Sequence, residues 1–448
     1  MSIMSTVSGA TPKQDELVTI AEQSGFRKTG RFDEVERLCA AFQRHFPRQV
    51  RCFEFGRSPE GRPLLALAAS ADGTLDAATA RERQRPVALM QGGIHAGEID
   101  GKDAGFLALR EMLEGRAAKG ALERVTFVFV PVFSVDGHER FGPWNRPNQV
   151  GPEEMGWRTN AQNLNLNRDY VKADAPEMHA MLRLLNEWDP LLYVDLHVTD
   201  GAEFEHDVSY NVAPTLAGDA DLTRSAIGLR DQLMQKAKAH GSLPVDFYPS
   251  FVRDDDPQSG FAVAIGPARF SQQYWAIRNR IGVLVETHSW KDYPTRVRIT
   301  RNSIVDMMEL AALNGSEWQR AARAADARGA QSGGSNVVLV YANTDQVQMI
   351  DFRGYEYVRE PSAISGALVT RYNNKRPQIW HIPLRDQLQP SVSVTAPRGG
   401  YIVPAAYTQW MREKLALHNV EFRELPNAIA QSDVETFRAA TARNSTAT

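Results

Sequence analysis

Continuous apolar runs and amphipathic segments alternate along residues 87–300 of the chain. Four of the apolar runs predict strands: VALMQGGI (87–94), VTFVFVPVF (125–133), LLYVDLH (191–197) and IGVLVETHS (281–289). The second is a continuous apolar run typical of a strand buried on both faces, and the fourth is interpreted as a further buried strand. Between these runs, apolar residues at helical spacing predict helices: DGKDAGFLALREMLEG (100–115), APEMHAMLRLLNEW (175–188) and LTRSAIGLRDQLMQKAKAHG (222–241). Strands that alternate with helices favour an α/β sheet covered on both sides.

The pattern changes at both ends of this region. DELVTIAEQSG (15–25) and RFDEVERLCAAFQRHF (31–46) predict two helices, so residues 1–50 are interpreted as an N-terminal helical segment and 51–321 as the main domain. The segment ARAADARGAQSGGSN (322–336) is rich in Ala, Gly and Ser and is typical of a linker. Residues 337–448 predict a smaller β-rich domain, closed by a helix at AAYTQWMREKLALHN (405–419).

Composition narrows the class of protein. The chain has 448 residues, of which 43% are hydrophobic and 23% charged, as in an ordinary globular protein. A formal net charge of −3 gives no basic surface, which argues against nucleic acid as a partner. Cys39 and Cys52 are the only cysteines. They indicate neither a disulfide framework nor a cysteine-based zinc site, and nothing in the sequence indicates a bond between them.

The N-terminal residues MSIMSTVSGATPKQDELVTI lack the basic and apolar regions of a signal peptide. No run approaches the ~18 apolar residues of a membrane span. As written, the sequence predicts a soluble cytoplasmic protein without a membrane partner. A truncated N-terminus would instead be compatible with a periplasmic or secreted protein.

The segment MQGGIHAGEIDGKDAG (90–105) follows a predicted strand and holds His95 and Glu98 among five glycines. Both residue types bind zinc, and one turn of the chain brings side chains three residues apart together. Taken alone, the spacing is more often that of a turn with a surface histidine and a helix-starting glutamate. Other parts of the chain decide between the two interpretations.

Two further candidates stand where predicted strands end. A catalytic zinc site takes three protein ligands and keeps the fourth position open, and His197 after LLYVDL supplies a third ligand. In open α/β sheets, ligands bind at the carboxyl ends of strands, where His197 falls. Glu286 follows Val-Leu-Val, where a carboxylate costs free energy unless it has a partner or a purpose. General base for a zinc-activated water is one such purpose, and a salt bridge at the strand end is the alternative.

The loop GWRTNAQNLNLNRDY (156–170) contains Arg158, Arg168 and several asparagines. An arginine pairs bidentately with a carboxylate, and an adjacent amide adds donors. A second arginine could stabilise an oxyanion that forms when water attacks a carbonyl. The alternative is a polar loop that caps the following helix.

Together these motifs resemble the zinc carboxypeptidase family, which includes carboxypeptidases A and B. The resemblance covers roughly residues 86–300 and rests on five motifs in order: His95-Ala96-Gly97-Glu98, Trp157-Arg158, Asn167-Arg168-Asp169, Asp195-Leu196-His197 and Glu286. VDGHER (135–140) is similar to a further turn of that family.

The resemblance implies a function and a role for each motif. One zinc ion would be bound by His95, Glu98 and His197. Glu286 would act first as general base and then as the acid that protonates the leaving amine, while Arg158 would polarise the scissile carbonyl. Asn167 and Arg168 would hold the substrate's C-terminal carboxylate. The implied fold is a mixed, mostly parallel eight-stranded sheet between helices, with the C-terminal β-rich domain outside it.

The sequence therefore predicts a metallocarboxypeptidase whose substrate is a peptide with a free carboxylate. An amidase or deacylase acting on N-acyl amino acids or cell-wall peptides would use the same groups. A non-catalytic binding protein on the same scaffold is the alternative of another class, and it would be expected to lack the base or a ligand. The family's active-site tyrosine has no clear counterpart, because Tyr274 lies too near Glu286 in sequence. The sequence does not indicate an oligomeric state.

Overall fold

The computed structural model of the protein describes residues 16–429, 431, 433–436 and 441. Residues 1–15, which include the start of the predicted N-terminal helical segment, lie outside the described residues. From Ile20 to Gly329 the helices and strands are, in chain order, α1 (Ile20–Gln23), α2 (Phe32–His45), β1 (Val50–Arg57), β2 (Pro63–Ala69), α3 (Ala77–Glu82), β3 (Val87–Gly92), α4 (Asp100–Leu113), α5 (Ala121–Arg124), β4 (Thr126–Val130), α6 (Val135–Glu139), α7 (Pro176–Trp188), β5 (Leu192–Val198), β6 (Val208–Ala213), α8 (Ala220–Ala239), β7 (Pro244–Val245), β8 (Phe261–Ala262), α9 (Ser271–Ala276), β9 (Ile281–Thr287) and α10 (Tyr293–Gly329). Short 3₁₀ turns occur at Leu166–Arg168 and Pro257–Ser259.

The main sheet has eight strands in the order β1-β2-β4-β3-β5-β9-β6-β7. Its centre is parallel, because β3 pairs in parallel with both β4 and β5, and β5 pairs in parallel with β9. Antiparallel pairs flank this centre at β1–β2, β2–β4 and β6–β9. The predicted fold class, a mixed eight-stranded sheet between helices, is confirmed.

Helices cover the sheet on both faces. On one face, α2, α4 and α10 contribute Phe42, Phe106 and Met307 to one apolar cluster. On the other face, α7 and α9 contribute Met181 and Trp275 to a second cluster. The central strands are therefore enclosed on both sides, which accounts for their continuous apolar sequences.

Two sequence-based expectations need correction, and one pairing that the sequence left open is present. The first predicted helix is much shorter than the segment 15–25 and covers only Ile20–Gln23. The composition-based linker at 322–336 begins inside α10, whose buried face still includes Ala322 and Ala325 and which ends at Gly329. Small residues there pack a helix rather than loosen a linker, while the division into domains stays a prediction. Cys39 and Cys52, for which no bond was indicated, form a disulfide between α2 and β1.

The predicted C-terminal β-rich part is present. Its elements are β10 (Asn336–Asn343), β11 (Gln348–Pro361), β12 (Leu368–Arg385), β13 (Leu388–Thr395), a 3₁₀ turn (Ala405–Tyr407) and helix α11 (Thr408–Leu417). β10 and β13 form a two-stranded antiparallel ribbon, here called the C-terminal ribbon. β11 and β12, here called the C-terminal hairpin, pair with each other and add β8 of the main domain at the end of β12. Among the described residues, no helix combines the length and apolar character needed to cross a bilayer.

Candidate functional site

The turn between β3 and α4 places two predicted ligands side by side. His95 and Glu98 are both buried, and His95 Nδ1 lies 3.0 Å from Glu98 Oε1. His95 Nε2 lies 3.1 Å from Asn165 Oδ1 on the arginine-containing loop. The helix starts directly after this turn, at Asp100, so the strand end and the helix start fix both side chains at one edge of the sheet.

The neighbouring strand brings in the third predicted ligand. His197, near the end of β5, is buried, and its Nδ1 lies 2.8 Å from Glu98 Oε2. One ligand atom from each of His95, Glu98 and His197 lies within 4.8 Å of the others. Two imidazoles and one carboxylate are a donor set that zinc takes in catalytic sites. The three side chains therefore fit a zinc ion by type, number and proximity.

The charges in this cluster favour the metal-binding forms of Glu98 and His95, whereas those around His197 favour a proton that a bound cation would have to displace. Burial opposes ionisation of Glu98, but Arg146 and the two histidines outweigh it and hold the pKa of Glu98 well below its usual range. Burial lowers the pKa of His95 to about 4, which favours the neutral imidazole that binds metals. Although burial alone would lower the pKa of His197, Asp195 and Glu98 raise it well above its usual value.

Asp195 supports His197 from the side away from Glu98. Its Oδ2 lies 2.8 Å from His197 Nε2, and its side chain is fully buried. A carboxylate behind a metal-binding histidine fixes the orientation and tautomer of the ring. The Asp195-Leu196-His197 motif therefore places a buried carboxylate next to the candidate ligand.

The predicted base lies beside this cluster. In the parallel pairing of β5 with β9, Glu286 stands opposite His197, so both side chains emerge at the same edge. Burial raises the pKa of Glu286 to about 8, and the nearby negative charges of Glu98 and Asp200 add to the effect of burial. Its Oε2 is buried and has no hydrogen-bond partner among the described residues. Among the described residues Glu286 forms no salt bridge, so the strand-end ion pair is not observed, while the role of general base stays a prediction.

A cavity of about 350 Å³ joins these groups to the arginine loop. Its lining includes all seven residues predicted from the sequence: His95, Glu98, Arg158, Asn167, Arg168, His197 and Glu286. The volume suits a ligand of a few residues at most. The structure thus brings together every predicted site residue, while their individual roles stay predictions.

The arginine loop presents two cations and one amide to this cavity. Arg158 Nη1 lies 3.4 Å from Glu98 Oε1, beside the candidate metal ligands. Arg168 packs over the ring of Phe270 at 4.5 Å. Asn167 Oδ1 accepts a hydrogen bond of 3.0 Å from the Ser271 backbone N–H. Because the acceptor of the Asn167 amide is engaged, its NH₂ group is the part that can donate to a ligand next to Arg168.

Burial and two neighbouring cations, Arg158 and Arg269, lower the pKa of Arg168. Its Nε is buried without a hydrogen-bond partner among the described residues. A half-buried arginine in this state attracts an anion, because a carboxylate would satisfy its donors and offset the repulsion from the other cations.

Arg146 is a site residue that the sequence analysis missed. Its Nη1 donates to Glu98 Oε1 at 2.7 Å, and its Nη2 donates to the backbone oxygens of Val198 and Thr199 at 3.0 and 3.1 Å. Gly97 makes this possible, since a Cβ at that position would lie 2.8 Å from Arg146 Cδ. Arg146 thus connects the two segments that carry the ligands. Its surroundings, PWNRPNQ (143–149), contain no spacing that would have marked it.

Tyr248 was also missed. It lines the cavity together with Glu286 and Arg168, although it lies 38 residues before Glu286 in an unremarkable aromatic segment, VDFYPSF (245–251). Tyr274, to which the sequence assigns no role, does not line the cavity. Its hydroxyl is hydrogen-bonded to His418 Nδ1 at 2.9 Å. Tyr248 is therefore the tyrosine available to a ligand in this cavity.

The family comparison agrees with this arrangement. Residues 35–215 match the zinc carboxypeptidase family, so the predicted resemblance is confirmed for this part of the chain. The matched region includes the three candidate ligands and the arginine loop, and it ends before Glu286. None of the curated proteins matches the chain.

Solved structures with a similar chain path include three carboxypeptidases. A metallo-carboxypeptidase from Burkholderia cenocepacia is 15% identical, with 62% of this chain and 69% of that chain covered, at a TM-score of 0.44. Carboxypeptidase A from Helicoverpa armigera is 16% identical, with 67% and 75% covered, at 0.41. A metallo-carboxypeptidase from Pseudomonas aeruginosa, in complex with (2-guanidinoethylmercapto)succinic acid, is 15% identical, with 63% and 69% covered, at 0.42. These scores are too low to bear on function, and the fold class rests on the sheet itself.

Proposed function

Because residues 35–215 carry the zinc carboxypeptidase sequence, we propose that the protein is a zinc-dependent carboxypeptidase that removes the C-terminal residue of peptides. The observation that carries this proposal is that one cavity holds the candidate metal ligands, the buried carboxylate of Glu286 and the cationic side chain of Arg168. Hydrolysis of a terminal peptide bond needs a metal, a base and a carboxylate-binding group within one substrate's reach.

Zn²⁺ held by His95, Glu98 and His197 would supply a Lewis acid that lowers the pKa of water and polarises a carbonyl. Glu286 takes a proton from the attacking water as the oxygen–carbon bond forms, and it passes the proton to the amine as the carbon–nitrogen bond breaks. Burial suits Glu286 to both steps, because its raised pKa lets the protonated form persist until the amine leaves.

The arginine loop orients the substrate. Arg168 pairs with the terminal carboxylate, and the NH₂ group of Asn167 donates to the same group. Arg158, close to Glu98, donates to the oxygen that becomes negatively charged when water attacks. Tyr248, which lines the same cavity, contacts the substrate as well.

Paired peptides test this proposal. Purified protein loaded with zinc is assayed on short peptides that differ only in a free or an amidated C-terminus. We expect release of the C-terminal amino acid from the free-acid peptides and much slower cleavage of the amides. Removing zinc with a chelator should abolish turnover, and adding zinc back should restore it.

Equal cleavage of free-acid and amidated peptides would contradict the carboxylate-binding role of Arg168 and Asn167. Internal cleavage would replace the proposal with an endopeptidase. Hydrolysis of N-acyl amino acids in the absence of peptide cleavage would replace it with an amidase or deacylase that uses the same cavity.

A further inference from the structure

One wall of the cavity lies against the C-terminal hairpin. Residues 259–264, here called the wall segment, contribute Ala262, Val263 and Ala264 to the cavity lining. β8 lies in this segment and pairs in parallel with the end of β12, with Phe261 opposite Leu384 and Ala262 opposite Arg385. The wall segment is therefore shared between the cavity on one side and the C-terminal hairpin on the other.

Hydrogen bonds from the C-terminal part hold the wall segment at its backbone. The Val263 N–H donates to the backbone oxygen of Arg385 at 2.8 Å. Asn343, at the end of β10, donates from Nδ2 to the backbone oxygens of Val263 at 2.9 Å and Arg385 at 3.1 Å. One amide thus ties the wall segment and the hairpin together, directly beside residues that line the cavity.

An aromatic cluster anchors the same segment. The ring of Phe261 is fully buried and lies 4.7 Å from Phe352 of β11 and 5.0 Å from Phe251, measured between centroids. Trp380 of β12 stacks on Phe352 at 5.9 Å. Because these rings are buried against one another, the wall segment cannot shift without disturbing the packing of the hairpin.

Gly260 sets how closely the two parts approach. It has a φ of +69°, and a Cβ at this position would lie 1.8 Å from the backbone oxygen of Pro383. The backbone of the wall segment is thus in direct contact with the backbone of β12, with no room for a side chain between them.

The wall segment is also hydrogen-bonded to a neighbouring segment that carries the cavity residues Tyr248 and Ser250. Ser250, which lines the cavity with Tyr248, accepts a hydrogen bond of 3.4 Å from the Ala262 N–H. Val252 N–H donates to the Gly260 backbone oxygen at 3.0 Å. A displacement of the wall segment would therefore also move the segment that carries Tyr248.

We propose that the C-terminal hairpin is a positioning element that sets the width of the substrate cavity, and thereby selects which C-terminal side chains the protein accepts. This inference about side-chain selection rests on the proposed carboxypeptidase function. The small side chains of Ala262 and Ala264 leave space on this wall, and the hairpin keeps the wall at the distance that preserves this space. If the wall segment moves away from β12, it moves toward the cavity, and large substrate side chains lose more binding than small ones.

The Gly260→Ala variant tests this proposal. The new methyl group collides with Pro383 and should push the wall segment into the cavity. The measurement is the ratio of kcat/KM for a peptide ending in phenylalanine to that for the matched peptide ending in alanine. We expect this ratio to fall about 10-fold, which is the scale of discrimination that a change of one carbon in a pocket produces. Zinc content should be unchanged.

Gly366→Ala is the matched control. Gly366 lies in the turn of the same hairpin and has a φ of +71°, but a Cβ there meets nothing within 4 Å. It shares the positive φ of Gly260 without the collision, so the substrate ratio should stay that of the wild type. An equal change in both variants would mean that general loosening of the hairpin, and not the position of the wall, causes the effect.

Asn343→Ala keeps the test informative if Gly260→Ala fails to fold. It removes two hydrogen bonds to the wall segment, and we expect the ratio to change about 2- to 10-fold. Asn336→Ala, at the exposed other end of β10, is its control and should leave the ratio unchanged. Folded Gly260→Ala and Asn343→Ala proteins with the wild-type ratio would overturn the proposal.

The proposed function and this inference can fail separately. If the wild-type protein cleaves no peptide, the proposed function fails. Ligand selection is then measured by calorimetry on zinc-free protein, as the ratio of the binding constants of N-acetylphenylalanine and N-acetylalanine. A ratio that shifts in Gly260→Ala but not in Gly366→Ala would support the role of the hairpin in ligand selection without peptidase activity. The same ratio in all proteins would overturn it.

Discussion

The central strands of the main sheet and the strands of the C-terminal ribbon have similar sequences and opposite surroundings. IGVLVET (281–287) and VVLVYAN (337–343) are seven-residue segments that each begin with a continuous apolar run. Every residue of β9 is buried, whereas those of β10 are exposed or half-buried. An apolar run therefore predicts a strand, but the helices that cross over the sheet decide whether water reaches it.

This difference has chemical consequences. Glu286 ends a strand covered by helices, and its burial raises the pKa to about 8. Asp351 is an exposed residue of the C-terminal hairpin and pairs with His381 at 2.9 Å, where solvent screens the interaction. Catalysis is therefore expected at the helix-covered main sheet and not on the exposed C-terminal strands.

The largest effect on turnover is expected from a substitution at Glu286, at the helix-covered edge of the main sheet. Glu286→Gln keeps the shape of the side chain and removes its basicity, so kcat should fall about 10² to 10⁴-fold, the usual contribution of a general base. Zinc content should stay at one ion per chain, measured by atomic absorption. Turnover near that of the wild type would remove Glu286 from the base role.

The pH dependence of the wild type provides a control. The base must be ionised, so kcat/KM should rise with pH through the pKa of Glu286. Burial raises this pKa to about 8 in the metal-free protein. A bound cation favours the carboxylate and lowers the pKa, so the acidic limb should lie below pH 8 and above the ordinary range of glutamate. The residual activity of Glu286→Gln should lack this limb.

One substitution made in both regions tests the comparison directly. Leu192 in β5 is fully buried, and Leu192→Ala should lower the free energy of unfolding by about 2–5 kcal/mol. Leu339 in β10 is 59% exposed, and Leu339→Ala should change it by less than about 0.5 kcal/mol. Denaturant unfolding measures both. A large loss at Leu339 would show that another surface covers the C-terminal ribbon in solution.

Arg168→Ala should affect substrate binding selectively. A hydrogen-bonded contact to a charged group contributes roughly 1.5–3 kcal/mol, so kcat/KM for free-acid peptides should fall about 10- to 100-fold. For amidated peptides the change should be small. Arg269→Ala is the matched control, because Arg269 adds charge near Arg168 but does not line the cavity. Equal losses in the two variants would indicate general attraction of anions rather than a defined carboxylate contact.

Arg146→Met should weaken zinc binding. Without its guanidinium, Glu98 loses a partner at 2.7 Å, and the segment after His197 loses two contacts. Changes to groups that support metal ligands typically lower metal affinity about 10- to 100-fold. Competition with a chromophoric chelator measures this affinity without reference to activity. Unchanged affinity would make Arg146 a purely structural residue.

The sequence was sufficient for the four central strands, the order of motifs and seven residues of the cavity, because each lies in or directly after a strong local pattern. It was insufficient where a role depends on contacts between distant segments. Arg146 reaches Glu98 across 48 residues of sequence, and nothing in its neighbours marks it. Tyr248 and the wall segment enter the cavity only through their pairing with each other and with the C-terminal hairpin.

Amino-acid composition was also a poor guide where packing between distant segments decides the structure. Ala-rich sequence at 322–329 was interpreted as a linker, but small side chains also allow a helix to pack closely, as the buried Ala322 and Ala325 do in α10. The two cysteines gave no signal, since 13 residues of sequence separation says little about distance until α2 and β1 are placed side by side.

The register between β5 and β9 has a consequence for how activity is acquired during folding. His197 and Glu286 are opposite each other, and successive side chains on a strand point to opposite faces. If either strand slipped by one residue, its functional side chain would turn into the helix-covered interior. The proposed catalytic site thus cannot exist in a collapsed chain whose strands are not yet paired in register. The return of activity during refolding should therefore report when β5 and β9 reach their native register.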